Sequence, residues 1–385
     1  MNIPKLRFKE FNDEYKSIKL KDVSEIYDGT HETPNYVEKG VKFVSVENIS
    51  NLLDTTKFIP ESDYNKYKIK PKYNDVFMTR IGDIGTSSIY KSDEKLAYYV
   101  SLALLRTKDN HILIPDYLNQ YIKNNSFQKE LYNRTIHVAF PKKINTGEIG
   151  ECSINLCSDK EQLKVSNFLS LLDKKIELQT KKIEDLKLFK KGFIEFEFSN
   201  SNYNEINLKE ILKERKAYSE KSLEFPHVTL SKDGIYDKTD RYNRDFLVKS
   251  DDKKYKITYL NDLCYNPANL KFGVICLNEY GSAIFSPIYV TFAIKNIANP
   301  KYIKYYVTRN NFINAIRKYE QGTVYERMAV APEDFLKFSI KLPNIEIQNK
   351  FVDKLSKLDQ KIELENLKLS RYIKLKKGLM QNMFV

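Results

Sequence analysis

Few residues in this sequence have the makings of catalytic chemistry, and none is spaced for it. An adenine methyltransferase clamps its target amine with an Asn/Asp-Pro-Pro-aromatic string. Asn266-Pro-Ala-Asn269 departs from that string at its third and fourth positions and reads as a turn. No Gly-x4-Gly-Lys-Ser/Thr string is present, so no P-loop is indicated. Pro115-Asp116 is reminiscent of a nuclease carboxylate, but no Glu-x-Lys strand follows to hold a metal with it. A helix start is the better reading. Asp185-Leu-Lys187 has nuclease spacing but lies on a long helix. Cys152, Cys157, Cys264 and Cys276 form no CxxC pair, and His31, His111, His137 and His227 add no metal-ligand spacing. The thiols read as reduced and structural. His31 has no Ser or Cys arrangement beside it and reads as a polar loop residue. Residues 80–86, Arg-Ile-Gly-Asp-Ile-Gly-Thr, form a glycine turn that would either cradle a phosphate on its amides or serve as a structural hairpin.

The chain has 385 residues and a net charge of +13, which suggests a polyanion partner, most simply nucleic acid, and fits equally well a charge set by solubility with a compositional bias toward Lys, Asn, Ile and Tyr. Its 27 Tyr and 22 Phe suit cores or base contacts. The length predicts two or three domains. No run of about 18 apolar residues predicts a transmembrane span, and residues 1–10 lack a signal-peptide apolar core. A cytoplasmic location is expected.

Such loops need elements to hold them, and the elements repeat. Ser170-Leu-Leu-Asp-Lys-Lys-Ile-Glu-Leu178 returns as Ser356-Lys-Leu-Asp-Gln-Lys-Ile-Glu-Leu364, and Lys190-Lys-Gly192 returns as Lys376-Lys-Gly378, in each case 186 residues later. Both copies carry apolar residues at alternating steps of four and three. The first runs Val165, Leu169, Leu172, Ile176, Gln179, Ile183, Leu186, Lys190, Phe193. The second runs Phe351, Leu355, Leu358, Ile362, Glu365, Leu369, Tyr372, Lys376, Leu379. Roughly four heptads predict a coiled coil. Two unrelated amphipathic helices would show the same periodicity, but not polar seam residues in matched register, Gln179 with Glu365 and Lys190 with Lys376.

Around these helices the chain reads as an arm (1–15, anchored by Leu6, Phe8 and Phe11), a globular unit, a long helix capped by Asp159, a polar linker at 199–202, a second unit and a second long helix. Short helices are predicted at 19–26 and 208–214. Strands are predicted at 41–46, 76–80, 98–105, 227–230, 257–260 and 288–294. Pro115 and Pro300 each open a helix, the first reaching about Tyr132. Ser153-Ile-Asn-Leu156 matches Ser339-Ile-Lys-Leu342. The predicted division is 1–156, 157–198, 199–343 and 344–385: an α/β (α+β) chain of two pseudo-repeated globular domains and two spacer helices forming an antiparallel coiled coil. The two units agree at their ends and differ in their middle loops, as two readers of different sequences would.

This arrangement resembles the specificity subunit of a type I restriction–modification system over essentially all of the chain. The resemblance rests on Pro4-Lys-Leu-Arg-Phe8, Gly29-Thr-His-Glu-Thr-Pro34, the 80–85 turn and the two long repeats ending Lys-Lys-Gly. One departure concerns the lead into each helix, which in the family often carries proline and ends near Glu-Gln. The second copy keeps Leu342-Pro343 and Gln348, whereas the first has Leu156-Cys157 and Glu161-Gln162, without the proline.

The resemblance implies that each globular unit is a target-recognition domain reading half of a split double-stranded DNA site. The helices would act as spacer and as docking surface for modification subunits, two in number. This chain would be non-catalytic and carry no metal or cofactor. S-adenosylmethionine would belong to adenine-methylating partners, and ATP and magnesium to a restriction subunit that translocates and cleaves. Residues 165–193 as a helix span roughly 43 Å, which would centre the half-sites roughly 12–13 base pairs apart, an upper bound if the rod is tilted, about one turn. Loop residues suited to guanine edges, adenine edges and phosphates are the contact candidates. In the first unit these are Thr30, His31, Thr33, Arg80, Thr86, Ser87, Arg134, His137 and Lys142. In the second they are Lys232, Arg241, Arg244, Asn269, Lys271, Gln321, Tyr325 and Arg327. The rival reading is a coiled-coil interaction scaffold whose basic charge is incidental.

Overall fold

Helices run where the two heptad patterns lie, Asp159–Ser199 and Ile345–Met383, in a computed structural model that describes residues 3–199, 202–220, 224–238, 254–320 and 329–385. None of the eighteen predicted seam residues is exposed. The chain divides into two compact units, Met1–Lys181 with Asn366–Val385, and Lys182–Glu365, so that both long helices are shared between them.

In the first unit, Lys376 pairs with Asp173, and Lys175 Nζ lies 4.6 Å from the centre of the Tyr372 ring. In the second, Phe193 stacks on Phe351 at 5.4 Å, Lys190 Nζ reaches Asp359 at 2.5 Å and Lys182 reaches buried Glu365 at 2.9 Å. In each unit, rising numbers on one helix meet falling numbers on the other, so the pairing is antiparallel. Three of the four polar seam residues, Glu365, Lys190 and Lys376, are thereby explained. Lys190 and Lys376 each salt-bridge an aspartate of the opposite helix, and Asp173 and Asp359 are themselves 186 residues apart. Such a pair favours one register over its neighbours.

The first unit holds an antiparallel sheet in the order Ser24–Asp28, Leu102–Thr107, Val76–Thr79, Ser87–Ile89. A second sheet places Val41–Val44 between Phe58–Ile59 and a parallel Leu96–Tyr98. The predicted 98–105 strand is two strands with a turn between. The short helix at 19–26 is only Leu20–Val23, because Ser24–Asp28 pairs into the sheet. The helix from Pro115 stops at Ile122 and restarts at Asn125, since Asn124 accepts the Phe127 N–H and caps the second segment. Lys16–Lys19 pairs with Ser153–Leu156.

The second unit repeats the four-stranded order: Leu212–Glu214, Val290–Ile294, Leu263–Tyr265, Ile275–Leu277. Its second sheet differs. Tyr255–Thr258 lies antiparallel between Tyr218–Ser219 and Ala283–Phe285, and a Val228–Ser231/Gly234–Asp237 hairpin is added. Asn204–Asn207 pairs with Ser339–Leu342. The short helix is Leu208–Ile211, again followed by a strand.

Matching positions carry matching cores. Tyr117 and Tyr302, Phe127 and Phe312, Leu169 and Leu355 are all buried. Buried Gln162 donates to the Ile112 and Cys157 carbonyls at 2.8 and 2.9 Å and accepts the Ile114 N–H at 2.9 Å. Gln348 does the same with the Ile297 and Pro343 carbonyls and the Asn299 N–H. A carbonyl is present whether the residue is Cys157 or Pro343, so the missing proline leaves this bond intact. Each glutamine ties the start of a long helix to the lead into a shorter one.

The helix cap falls one residue before Asp159. Ser158 Oγ accepts the Glu161 N–H at 3.4 Å, and Asn344 Oδ1 accepts the Ile347 N–H at 3.0 Å at the start of the second long helix. The arm is held by Phe8 against Phe168 and by Leu6 N–H donating to Asn382 O. Its strongest tie was not expected from the sequence: Arg7 forks onto Glu161 at 2.8 and 2.7 Å.

Candidate nucleic-acid interface

Three loops of the first unit meet at Arg80, which sits just past the strand Val76–Thr79. Its Nε donates to Ile144 O at 3.0 Å and its guanidinium to Val100 O at 3.2 Å and Asp28 at 3.4 Å. Its backbone N–H donates to Ser101 O, and its carbonyl accepts the Ile144 N–H. The 28–34, 80–86 and 135–143 loops are therefore fixed to one another. Gly82 N–H donates to Lys142 O at 2.8 Å, and Gln128 donates to Gly85 O at 2.9 Å. Burial pulls the Arg80 guanidinium below its ordinary pKa, and Asp28 pulls it back.

The geometry sorts the predicted residues. Arg80 is 6% exposed, so it holds the loops together rather than presenting itself to a ligand. Ser87 is also buried, and its hydroxyl donates to Asn119 Oδ1 at 2.9 Å. Both are corrections to the expected contact set, because each is buried with its donors committed to internal acceptors. Arg134 is half-buried and engaged by Glu148 at 3.0 Å. His31, Thr33, Thr86, His137 and Lys142 are exposed and Thr30 half-buried, on the loops that Arg80 gathers. His31 is held by Asp28 at 3.0 Å, Thr86 Oγ1 donates to Asp83 at 2.6 Å, and His137 Nε2 lies 2.8 Å from Tyr132 O.

Sequence reasoning missed Asp28 and Gln128, which do the positioning. Asp28 adjoins the glycine loop, but nothing in its spacing marks it. Gly29 is fixed by close packing, since a Cβ there would lie 2.3 Å from Tyr98 O. Gly29→Ala is expected to force the 28–34 loop outward and destabilise the unit by about 1–3 kcal/mol, read as a lower denaturant midpoint.

In the second unit, Lys232 is exposed at the turn of the added hairpin. Asn269 and Lys271 lie on the 3-10 segment Pro267–Phe272, where Asn266 accepts the Ala268 N–H and Gly273 takes φ 78° to end the turn. Arg241, Arg244, Gln321, Tyr325 and Arg327 lie outside the described residues. Asp262 receives both arms of Arg215 (2.8 and 2.9 Å) and the Tyr259 N–H, as Asp75 receives Arg106 and the Lys72 N–H in the first unit. The same carboxylate thus recruits arginine from different segments.

The four cysteines are free. Burial pushes Cys152, Cys157 and Cys276 up to about 12 and Cys264 further still, which holds them as thiols rather than nucleophilic thiolates. Among the described residues no helix is long and apolar enough to cross a membrane.

Comparison with known proteins gives a consistent picture. The type I restriction modification DNA specificity domain matches residues 12–188. The fold is similar to that of the S subunit of a type I restriction-modification system from M. genitalium, 15% identical, over 100% of this chain and 99% of that one, with a TM-score of 0.57. It is also similar to a chain from a structure describing complex assembly and conformational transition of the type I R-M system, 11% identical, over 96% and 97% of the two chains, with a TM-score of 0.59.

Proposed function

We propose, from the match of residues 12–188 to the type I restriction modification DNA specificity domain, that each globular part of this chain reads one half of a bipartite duplex site. The observation that carries the reading is the gathering of three loops around Arg80, with exposed His31, Thr33, Thr86, His137 and Lys142 on them. Polar and cationic side chains on rigidly held loops are what base and phosphate contacts require. The repeat supports two readings per chain, because the same four-stranded frame carries different loops in each unit. The chain supplies specificity and no catalysis. Adenine methylation, with S-adenosylmethionine, belongs to modification subunits. ATP and magnesium belong to a restriction subunit.

The long helices supply the spacing and dock the modification subunits. Leu171, Leu178, Leu188 and Leu364 stand 58–69% exposed on them, suited to partner helices. The scaffold reading shares this feature and lacks sequence-specific duplex binding. Inserting four residues at matched points of both helices is expected to lengthen the unread gap by about two base pairs, at 1.5 Å per residue against 3.4 Å per base pair. An unchanged gap would refute the spacing role. The test of the function itself is adenine-methylation mapping in cells with the modification partner, with and without this chain. A split motif that appears only with the chain supports the proposal. No motif, from a partner active with another specificity subunit, favours the scaffold.

A further inference from the structure

Two apolar side chains stand in solvent at the tip of the 135–143 loop: Val138 is 97% exposed and Phe140 104%. The loop that carries them is pinned. Ile136 N–H donates to Lys143 O at 2.8 Å, Gly82 N–H to Lys142 O at 2.8 Å, and Ile144 N–H to Arg80 O at 3.0 Å. His137 packs on the Tyr132 ring at 4.4 Å just before the tip. Directly after it come Pro141 and the exposed Lys142 and Lys143. A fully exposed aromatic on a fixed stem beside two cations has no role in the unit's own core.

We propose that Phe140, with Val138 beside it, is a wedge that enters the duplex between two stacked base pairs in the half-site read by this unit, with Lys142 and Lys143 holding the adjoining phosphates. The inference rests on the reading of the chain as a DNA reader and adds deformation of the site to contacts with its edges. Size and charge favour DNA over a protein partner. A protein interface covers roughly 800 Å² and about 20–30 residues on each side, far more than this tip offers. Insertion between bases needs one or two apolar side chains, and the phosphates that flank the opened step require cations. A wedge also reads sequence indirectly, since flexible pyrimidine–purine steps open most readily.

The test compares the full chain, assembled with its modification partner, as wild type, Phe140→Ala and Phe140→Leu on a duplex carrying the mapped site. Bend is read by circular-permutation gel mobility and affinity by titration. Wild type and Phe140→Leu are expected to kink one half-site by roughly 20–90°. Phe140→Ala is expected to leave it straighter and to bind roughly 5- to 100-fold more weakly, while still co-purifying with the partner. Equal bend and affinity in all three would overturn the wedge and leave the DNA-reading function standing. Loss of partner co-purification in Phe140→Ala, with DNA bend and affinity kept, would overturn it in favour of a protein contact. A wild-type complex that does not prefer the mapped site over a scrambled one would refute the DNA-reading function itself, a result distinct from both.

Discussion

Replacing Arg80 with methionine is expected to destabilise the first unit by about 2–5 kcal/mol and to erase the split methylation motif. Methionine keeps most of the stem, so the loss is confined to the guanidinium. With it go the donors to Ile144 O and Val100 O and one of the two partners of Asp28. Each buried acceptor left unpaired costs about 1–3 kcal/mol, and the 28–34 and 135–143 loops lose their common anchor. Arg80→Lys is expected to fare little better, because one ammonium cannot span the directions that the planar fork serves. Guanidinium unfolding and methylation mapping check both halves. A variant of wild-type stability that still directs the full motif would show that Arg80 is not the hub.

The second large effect concerns the arm. Glu161 is 1% exposed, takes both arms of Arg7 and accepts the Tyr15 hydroxyl at 3.0 Å. The hydrogen bond to Glu161 raises the Arg7 pKa despite desolvation. Glu161→Ala strands a partly buried guanidinium and is expected to cost about 2–4 kcal/mol. The double variant Arg7→Met/Glu161→Leu is expected to recover most of that loss, because apolar replacement removes both desolvation penalties together. Denaturant midpoints of the single and double variants check it. Equal losses in both would mean that packing of the arm, not the charge pair, is what matters.

The seam was legible because heptad spacing over a long helix leaves little choice of face, and the repeat was legible because its offset holds from Ser153 to Gly378. Helix starts at Pro115 and Pro300 were legible for the same local reason, a proline where the first turn tolerates one. What escaped was set by distant partners. Lys16–Lys19 is a strand because Ser153–Leu156 lies beside it, more than a hundred residues away. The Asn124 break follows from a side-chain cap that periodicity does not register. At the candidate site the loops were identified, but the division of labour within them was not. An arginine beside glycines reads as a ligand contact. Only the inward carbonyls of Val100 and Ile144 show it to be internal.

The sharing of the long helices has a consequence for biosynthesis. The second unit is a single uninterrupted run, Lys182–Glu365, whereas the first needs Asn366–Val385 as well as Met1–Lys181. That late segment is part of its interior: Met380, Met383 and Phe384 are buried there, with Phe384 packed edge-on against Tyr117 and Tyr121. On the ribosome, where folding usually proceeds from the N-terminus as whole units emerge, the part translated first is the part completed last. Until residues 366–385 emerge, the nascent chain keeps an open apolar cleft beside Tyr117, the stage at which a chaperone would have most to cover.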